Sequence, residues 1–471
     1  MEKDKIIILG AGITGLATAW WLRKAGYEVS IIEARSEPGG SMQSVRKEGF
    51  LIDYGPNSGL DTTPLIRQLV EEAGLTGQLI YANQQSKKRY ILKHGSLHAL
   101  PTSPLAFLST SLFSTSAKLR LLREPFIGPT DPSQDVSIAD FVRHRLGEEF
   151  LNNAIDPFIS GIYAGNPEKL SVKSALPRLY ALEEKYGSLI RGAIAGVRER
   201  KKNPEVSKQN AQQFSFKEGM QSLPRALAAG MQESIHYETR VLEIGRTPEG
   251  YQLKLESKGE QSTLTTATLL STIPAHQLAG SISSLDPKLS QHLLALYHPP
   301  VMVLYLGFER SAIRQPLDGF GYLIPSRERR PYLGAIWSSI IFEGRAPTGY
   351  ESFTLFVGGS RHPELPDEDL EARKELVIRD FKQTMMIAES EQPVLVESRL
   401  WHKAIPQYNI GYQAHEAYFQ QFEAAHPGFF LGGNFRGGIS VSDCIKNSGL
   451  LKEKIEKHLL AGVKVEGQKR R

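Results

Sequence analysis

The sequence of 471 residues contains a single cysteine, Cys444. One cysteine excludes an intrachain disulfide framework and any metal site built from several cysteines. Such low cysteine usage fits a reducing compartment. The small cross-linked secreted domains and the cysteine-rich zinc proteins are therefore excluded as classes.

The chain also lacks a strong excess of either charge. It has 56 Lys and Arg against 51 Asp and Glu, a net charge of +5, and no polybasic arm. A nucleic-acid partner is therefore not expected. Hydrophobic residues at 41% and charged residues at 23% are ordinary for a globular protein and argue against a disordered or polytopic membrane chain. The length predicts two or three domains.

Only one long uncharged run occurs near the N-terminus, the seventeen residues 6–22. Its length alone is compatible with a signal peptide or a short membrane span. Its internal pattern instead predicts a buried strand over 6–9, a glycine turn, and a helix over 16–24. A second strand is predicted over 28–33, which favours the first half of a nucleotide-binding unit.

The glycine turn has the spacing Gly10-x-Gly12-x-x-Gly15. In a dinucleotide-binding turn, the first glycine permits the tight bend and the second lets the backbone approach a pyrophosphate. The third allows the helix to pack close to the strand, and the helix N-terminus then faces the phosphates. Glu33 follows Gly15 by eighteen positions, near the spacing expected for a carboxylate that binds the adenosine ribose. A degenerate nucleotide fold that binds nothing stays an alternative.

A second glycine pair, Gly39-Gly40, and the Gly55-Pro56 turn follow this unit. With the acidic strand end before them, they make the chain resemble the FAD-dependent amine oxidase and phytoene desaturase superfamily. The resemblance implies that both turns continue an FAD site.

A distant segment near the C-terminus agrees with FAD. A strand over 429–431 leads into Gly432-Gly433, and a helix is predicted from about Asp443 to Leu460. Ser440 and Asp443 have the spacing of a capping box, which puts the helix N-terminus in this loop. In the superfamily this helix end points at the pyrimidine edge of the flavin, where its dipole would stabilise negative charge. An ordinary strand-to-helix turn is the alternative.

The superfamily resemblance implies a set of cofactor-binding positions. These are Gly10, Gly12, Ile13, Thr14, Gly15, Glu33, Ala34, Gly39, Gly40, Ser41, Gly55, Pro56, Asn57, Val241, Ser271, Gly433, Val441 and Ser442.

The expected fold class is α/β, α+β overall, with a Rossmann-like FAD-binding domain built from discontinuous segments. Residues 1–86, 207–277 and 421–471 are assigned to that domain. Residues 87–103 and 278–420, where strand patterns dominate, are assigned to a mixed-sheet substrate domain. Residues 104–206 have helical periodicity and are predicted to form a helical insert, followed by an exposed linker over 198–204.

Six segments, found in family order across nearly the full chain, narrow the resemblance. They are similar to the oxygen-dependent protoporphyrinogen and coproporphyrinogen oxidases of haem biosynthesis. The segments are 88–90, 97–101, 156–171, 319–325, 356–361 and 404–408.

This narrower resemblance implies the substrate-binding positions. Arg89 would hold a propionate, and Asn57 would lie near both flavin and substrate. Leu323, Ile336 and Phe356 would form apolar walls against the pyrrole rings. Gly161, Ala164 and Gly165 would present backbone, without side-chain bulk, to the edge of the macrocycle. Ile336 departs from the leucine of the plant pattern. By composition alone, Arg89 would be a surface residue and the apolar trio ordinary core.

The implied activity is oxidation of protoporphyrinogen IX to protoporphyrin IX in three two-electron steps, with hydride transfer to FAD and oxygen as the acceptor. The flavin carries the chemistry, so no catalytic side chain and no metal are assigned. Coproporphyrinogen III is the alternative substrate. Another flavin amine oxidase or desaturase, or a non-catalytic dinucleotide-binding protein, remains open.

The expected location is cytoplasmic, with peripheral attachment to the inner face of the cell membrane as an open alternative. Within the helical insert, leucines at 119, 121 and 122 alternate with Lys118, Arg120 and Arg123. Such a stretch can lie on a lipid surface, although ordinary core helices have similar patterns. A ferrochelatase contact and a homodimer are also left open.

Overall fold

The computed structural model describes residues 5–199 and 211–469. Most of the linker predicted over 198–204 lies outside the described residues.

The described strands are short and belong to several sheets. In chain order they are β1 (Ile6–Leu9), β2 (Val29–Ile32), β3 (Ser44–Lys47), β4 (Phe50–Asp53), β5 (Gly59–Leu60), β6 (Leu79–Tyr81), β7 (Lys88–Lys93), β8 (Ser96–Ala99), β9 (Gln213–Phe216), β10 (Ile235–His236), β11 (Thr239–Thr247), β12 (Gly250–Ser257), β13 (Glu260–Thr266), β14 (Leu269–Ser271), β15 (Val301–Glu309), β16 (Gly319–Leu323), β17 (Gly334–Ile336), β18 (Tyr350–Gly358), β19 (Leu395–Trp401) and β20 (Phe429–Leu431).

The described helices cluster between the strands and in the middle of the chain. They are α1 (Ile13–Lys24), α2 (Pro64–Glu72), α3 (Pro104–Ser109), α4 (Thr115–Arg123), α5 (Ile138–Arg145), α6 (Glu148–Phe150), α7 (Asp156–Tyr163), α8 (Val172–Ala175), α9 (Pro177–Tyr186), α10 (Leu189–Glu199), α11 (Ser222–Ala229), α12 (Ala275–Ile282), α13 (Pro287–Leu294), α14 (Ser338–Ile341), α15 (Leu370–Thr384), α16 (Tyr412–Ala425) and α17 (Val441–Lys469).

A five-stranded parallel sheet has the strand order β10-β2-β1-β14-β20. Its strands come from three separated parts of the chain, so the N-terminal, middle and C-terminal regions build one sheet. Buried on both faces, such strands are continuously apolar, as Ile6–Leu9 is. The predicted α/β fold is confirmed, while the domain boundaries stay a prediction.

The uncharged N-terminal run forms β1, the glycine turn and most of α1. Its lack of charge follows from burial, because Ile6, Leu9, Leu16 and Leu22 are all fully buried. The helix begins at Ile13, three residues before the predicted start. Gly12 is its extended N-cap, so the first helical turn already contains the last part of the glycine motif.

A seven-stranded mixed sheet has the order β19-β15-β18-β17-β16-β7-β8. Side chains alternate between its two faces. One face carries Leu304, Phe353 and Leu355, which pack against Val377 and Phe381 of α15. The other face meets the Gly55-Pro56 turn, where the Asn57 Nδ2 donates to the Thr354 hydroxyl.

Residues 278–420 are less strand-rich than predicted. They include α13, α14, α15 and α16, and α15 covers the back of the seven-stranded sheet. The apolar residues of α15 and α16 recur at helical spacing, as Val377 with Phe381 and Phe419 with Phe422 do.

The predicted helical insert contains α3 to α10, and a buried charge cluster holds it together. The Arg145 guanidinium donates to Glu183 at 2.6 Å and forms an ion pair with Glu124 at 3.3 Å. All three side chains are almost fully buried, so each charge requires its partner. In the described residues, no helix is long and apolar enough to cross a bilayer.

The C-terminal helix α17 extends beyond the prediction at both ends, from Val441 to Lys469. The predicted start of the helix in this loop is confirmed with Ser440 as its N-cap, because the Asp443 N–H donates to the Ser440 hydroxyl at 3.1 Å. The same hydroxyl donates to the Asp443 carboxylate at 2.6 Å.

Candidate active site

The first glycine turn brings backbone to the N-terminus of α1. Gly10 has φ +99°, and a Cβ on Gly15 would lie 2.1 Å from the Gly10 carbonyl oxygen. The turn therefore needs glycine at both positions. A Cβ on Gly12 would meet no protein atom within 4 Å, and Gly12 is thus bare backbone in front of the helix.

The second glycine pair packs directly on the first turn. The Gly39 N–H donates to the Ala11 carbonyl at 2.8 Å, and Gly39 forms an isolated β-bridge with Gly12. A Cβ on Gly40 would lie 3.5 Å from the Gly12 Cα. Two loops far apart in sequence thus make one cradle with few side chains, which fits the pyrophosphate of a dinucleotide.

Glu33 closes the cradle at the end of β2. Its carboxylate accepts hydrogen bonds from the Ala11 N–H at 2.6 Å and the Arg35 N–H at 2.9 Å. The Thr239 N–H donates to the Glu33 carbonyl at 2.9 Å, which brings β11 and its Val241 to the same strand end. This arrangement places Glu33, predicted to bind the ribose, and the predicted cofactor position Val241 at one strand end.

The C-terminal loop reaches the cradle from the other side. The Gly432 N–H donates to the Ser271 carbonyl at 2.8 Å, and Gly433 adopts φ +110° beside Thr272. At the start of α17, the Ser442 hydroxyl donates to the Leu60 carbonyl and accepts from the Leu60 N–H. The predicted cofactor positions at the two ends of the chain are therefore neighbours in space.

The remaining cofactor positions differ in exposure. Cys444 lies two residues after Ser442 on α17 and is buried. Burial raises the pKa of its thiol to about 11, so the thiol is an inert core group. A Cβ on Gly55 would lie 1.8 Å from the Ser41 carbonyl oxygen, so the Gly-Pro turn packs on the second glycine loop. The buried positions are Ile13, Thr14, Ser271, Val441 and Ser442, whereas Ala34 and Ser41 are exposed and Pro56 is intermediate.

The predicted substrate positions on the seven-stranded sheet share one face. Cross-strand pairing joins Arg89 to Gly321, Gly321 to Ile336, and Ile336 to Thr354. The next row pairs Leu323 with Gly334 and Gly334 with Phe356. Leu323, Ile336 and Phe356 are only partly buried, so this face is not an ordinary packed core.

Two glycines that were not predicted as site residues lie between the apolar side chains. Gly321 lies between Arg89 and Ile336 in one cross-strand row, and Gly334 lies between Leu323 and Phe356 in the next. Neither glycine presents a side chain. A Cβ on Gly321 would lie 2.1 Å from the Ala335 carbonyl oxygen. The result is a flat strip of backbone with apolar groups around it. Gly321 lies in segment 319–325, one of the six segments that carry the family resemblance, so the sequence already indicated this region.

Asn57 connects this sheet face to the Gly-Pro turn. Its Nδ2 donates to the Thr354 hydroxyl at 3.4 Å, and the Thr354 and Ser338 hydroxyls are 2.9 Å apart. Asn57, Phe320 and Ile336 line the same cavity between the turn and the sheet. The position predicted to lie near both flavin and substrate is therefore at the boundary between the two halves of the site.

Arg89 stands at the edge of the face. Its guanidinium lies over the Phe320 ring at 5.3 Å from the centroid. Surrounding protein lowers its pKa by desolvation, although the side chain keeps contact with solvent. No carboxylate of residues 5–199 or 211–469 forms an ion pair with it, so this cation is available to an anionic ligand.

The end of α7 forms a further edge of the sheet face. A Cβ on Gly161 would lie 2.4 Å from the Leu323 Cδ2, so a side chain there would collide with the predicted apolar wall. Ala164 ends the helix in the left-handed conformation at φ +48°. Asp156, at the other end of α7, accepts from the Ser326 N–H and pairs with Arg361, which fixes the helix on the sheet.

Gln407 and Tyr408 belong to the 404–408 segment, and the sequence predicted no individual role for them. The Gln407 Nε2 donates to the Tyr163 carbonyl at 2.8 Å, and a Cβ on Gly165 would lie 2.4 Å from the Gln407 Oε1. The Tyr408 hydroxyl donates to the Asn434 carbonyl at 2.9 Å and accepts from the Gly438 N–H at 3.0 Å. Gln407 therefore holds the α7 edge, and Tyr408 holds the C-terminal loop.

Residues 13–448 match a protein-family model described as "Flavin containing amine oxidoreductase". The chain belongs to the flavin-containing amine oxidoreductase family.

Relatives of this flavin-containing amine oxidoreductase carry two kinds of name. Protoporphyrinogen oxidase 2, chloroplastic/mitochondrial, of Arabidopsis thaliana is 32% identical over 94% of this chain and 92% of its own. Coproporphyrinogen III oxidase of Bacillus subtilis is 29% identical over 94% of this chain and 96% of its own. The resemblance predicted from the six segments is confirmed.

The fold of this flavin-containing amine oxidoreductase is also found in solved structures. The crystal structure named "Putative protoporphyrinogen oxidase from Exiguobacterium sp. 255-15" has a TM-score of 0.79 and 26% identity, and the match covers 97% of this chain and 99% of the other. The chain is therefore an FAD-dependent oxidoreductase, as predicted, and the two glycine loops fit its cofactor.

Proposed function

We propose that this oxidoreductase converts protoporphyrinogen IX to protoporphyrin IX in three two-electron oxidations with oxygen as the electron acceptor. The observation that carries the proposal is the partly buried sheet face of β16, β17 and β18. It combines two glycines without side chains, three partly exposed apolar side chains and, at its edge, the unpaired cation Arg89. An apolar tetrapyrrole macrocycle with carboxylates at its periphery matches this combination.

Bound FAD would supply the hydride acceptor for oxidation of the meso carbons and the route of the electrons to oxygen. Gly12 and Gly40 would admit its pyrophosphate, and Glu33 would bind its ribose. The N-terminus of α17, capped by Ser440, would stabilise negative charge on the reduced ring through its dipole. The other predicted cofactor positions belong to the same proposed site.

The protein's part in the reaction is orientation. Leu323, Ile336 and Phe356 would exclude water from one face of the macrocycle, since each presents apolar surface beside bare backbone. Gly161, Ala164 and Gly165 would meet its edge without side-chain bulk. Arg89 would fix the ring in plane, because a planar guanidinium binds a carboxylate through two parallel hydrogen bonds.

Charge favours the dicarboxylate protoporphyrinogen over the tetracarboxylate coproporphyrinogen. Among the described residues, Arg89 and Arg399 of β19, which shares the cross-strand row of Phe356, both lack a carboxylate partner, whereas three other cations around the face are already paired with carboxylates. These pairs are Lys88 with Asp318, Arg361 with Asp156, and Arg345 with Asp53. A tetracarboxylate would leave more of its charges without a protein partner.

The test is side-by-side oxidation of the two porphyrinogens by the purified holoenzyme. Anaerobic mixing should bleach the flavin, and in air each porphyrin should be accompanied by about three equivalents of hydrogen peroxide. A higher kcat/KM for protoporphyrinogen supports the proposal, and a higher value for coproporphyrinogen replaces the substrate. Failure of both porphyrinogens to bleach the flavin removes the proposed function.

We also propose that the helical insert touches a lipid surface. Leu105, Leu122 and Phe126 are 79%, 69% and 83% exposed on α3, α4 and the turn after α4. Arg123 is exposed beside them, and Lys118 donates to the Leu108 carbonyl, which joins α3 to α4. Exposed apolar groups with neighbouring cations match the surface of an anionic bilayer.

Flotation with vesicles tests this contact. The wild type should float with vesicles that contain phosphatidylglycerol, and the triple variant L105S/L122S/F126S should not. The control L294S/L376S removes exposed leucines elsewhere and should float normally. Equal flotation of the wild type and the triple variant would refute the contact. The domain division, a ferrochelatase contact and a homodimer stay predictions.

A further inference from the structure

Arg399 of β19 is a partly buried cation without a polar partner in the described part of the chain. Its guanidinium stacks on the Trp401 ring at 4.7 Å and on the Tyr54 ring at 5.7 Å. No described acceptor forms a hydrogen bond with it, and no described carboxylate forms an ion pair. The side chain is only partly buried, so solvent or a ligand meets its five N–H donors.

A second cation lies beside it. The Arg35 guanidinium stacks on the same Trp401 ring at 5.7 Å and donates to the Gly40 carbonyl at 2.6 Å. Desolvation and then repulsion by Arg35 lower the pKa of Arg399. Two like charges on one indole ring cost free energy unless an anion joins them.

The carboxylates nearest to this pair are engaged elsewhere. Glu37 accepts from Arg225 and from Gln221. Glu397 pairs with Lys47 and accepts from the Tyr54 hydroxyl at 3.2 Å. Within the described residues, no carboxylate forms a hydrogen bond or ion pair with either guanidinium, although Glu37 attracts Arg399 at longer range.

The position of the pair relates it to the cofactor cradle. Arg35 is bonded to Gly40, which packs against Gly12 at the N-terminus of α1. The Trp401 Nε1 donates to the Tyr54 carbonyl at 2.8 Å, so the ring between the two cations is fixed next to the Gly55-Pro56 turn. The pair therefore borders the loops that fit a dinucleotide pyrophosphate.

We propose that Arg399, together with Arg35, binds the pyrophosphate of FAD. Neither residue belongs to the glycine-motif positions predicted from the sequence. Two guanidiniums match the two negative charges of a pyrophosphate, and the planar fork of Arg399 is oriented in advance by stacking. The proposal depends on FAD as cofactor and not on the identity of the substrate.

The experiment measures FAD release from the holoenzyme and FAD binding to the deflavinated protein by flavin fluorescence. R399Q should raise the FAD dissociation constant roughly 10- to 100-fold, the effect of losing a charged hydrogen bond. R399K keeps the charge without the fork and should recover part of the affinity. The control R246Q removes a guanidinium that stacks on Tyr251 in the β11–β12 hairpin and should bind FAD normally.

Salt provides a second measurement. The FAD affinity of wild type should fall with ionic strength more steeply than that of R399Q, since one charge contact is absent in the variant. An unchanged FAD dissociation constant in folded R399Q, or in R399K if R399Q does not fold, overturns the proposal. A rise in the KM for porphyrinogen with normal FAD binding also overturns it, because the anion would then be a substrate carboxylate.

Discussion

Gln407 and Tyr408 are consecutive in the chain, yet their side chains hold two different walls of the candidate active site. Gln407 donates to the carbonyl of Tyr163 at the end of α7, on the predicted substrate side. Tyr408 donates to Asn434 and accepts from Gly438, in the loop before α17. One short backbone segment therefore sets the distance between the substrate edge and the loop predicted to contact the flavin.

Tyr408→Phe removes both hydrogen bonds of this buried hydroxyl. We expect a loss of about 1–3 kcal/mol in the free energy of unfolding, because the Gly438 N–H loses its partner. Urea denaturation measures this loss, and the flavin absorption spectrum should shift as the loop loosens. Tyr418→Phe is the control, since that hydroxyl binds Asp286 away from the loop. An unshifted flavin spectrum in Tyr408→Phe would argue against contact between this loop and the flavin.

Arg89→Ala removes the unpaired cation at the edge of the sheet face. Loss of a charged hydrogen bond should weaken substrate binding by about 1.5–3 kcal/mol, which appears as a higher KM. Arg89→Lys should retain part of the affinity through its charge. FAD content should equal that of wild type, since Arg89 lies on β7 and not at the glycine turns. A KM equal to that of wild type would eliminate the assigned role.

Gly12→Val tests the glycine cradle separately from the fold. The backbone at Gly12 is extended and a Cβ meets no protein atom within 4 Å, so the variant should fold. Its side chain would occupy the approach of the pyrophosphate, and the purified protein should lack FAD. The comparison is Gly15→Ala, whose Cβ would collide with the Gly10 carbonyl and should lower stability itself. Stoichiometric flavin in folded Gly12→Val would contradict the cradle.

His276 predicts a pH dependence of stability. Burial, with repulsion by His298 and Lys403, lowers its pKa from 6.5 to about 4. The unfolded chain therefore binds more protons between about pH 4 and pH 6.5, and stability should rise with pH across that window. One histidine contributes at most about 1.4 kcal/mol per pH unit. His276→Gln should flatten the dependence in urea denaturation series, and an unchanged slope would disprove the contribution.

The cofactor half of the site could be predicted because its information is local. Gly10, Gly12 and Gly15 lie in one turn, and strand, turn and helix patterns flank them directly. The start of α1 was placed three residues late, since the pattern of apolar residues does not identify an extended N-cap at Gly12.

Other features depend on contacts between distant residues. The bridge between Gly12 and Gly39 and the stacking of Arg399 on Trp401 arise only when separate segments meet. The helices α15 and α16 were missed for another reason, because the whole region was assigned to strands despite the helical spacing of its apolar residues. The flat strip around Gly321 required the strand register, which composition does not give.

The order of strands in the parallel sheet has a consequence for biosynthesis. β14 pairs on one side with β1 and on the other with β20, which ends at Leu431. A nascent chain on the ribosome thus exposes an unpaired edge of β14 until β20 has emerged. If the loop after β20 forms part of the proposed flavin site, stable flavin binding also waits for β20, and a truncation before this strand should yield a colourless product prone to edge-to-edge aggregation.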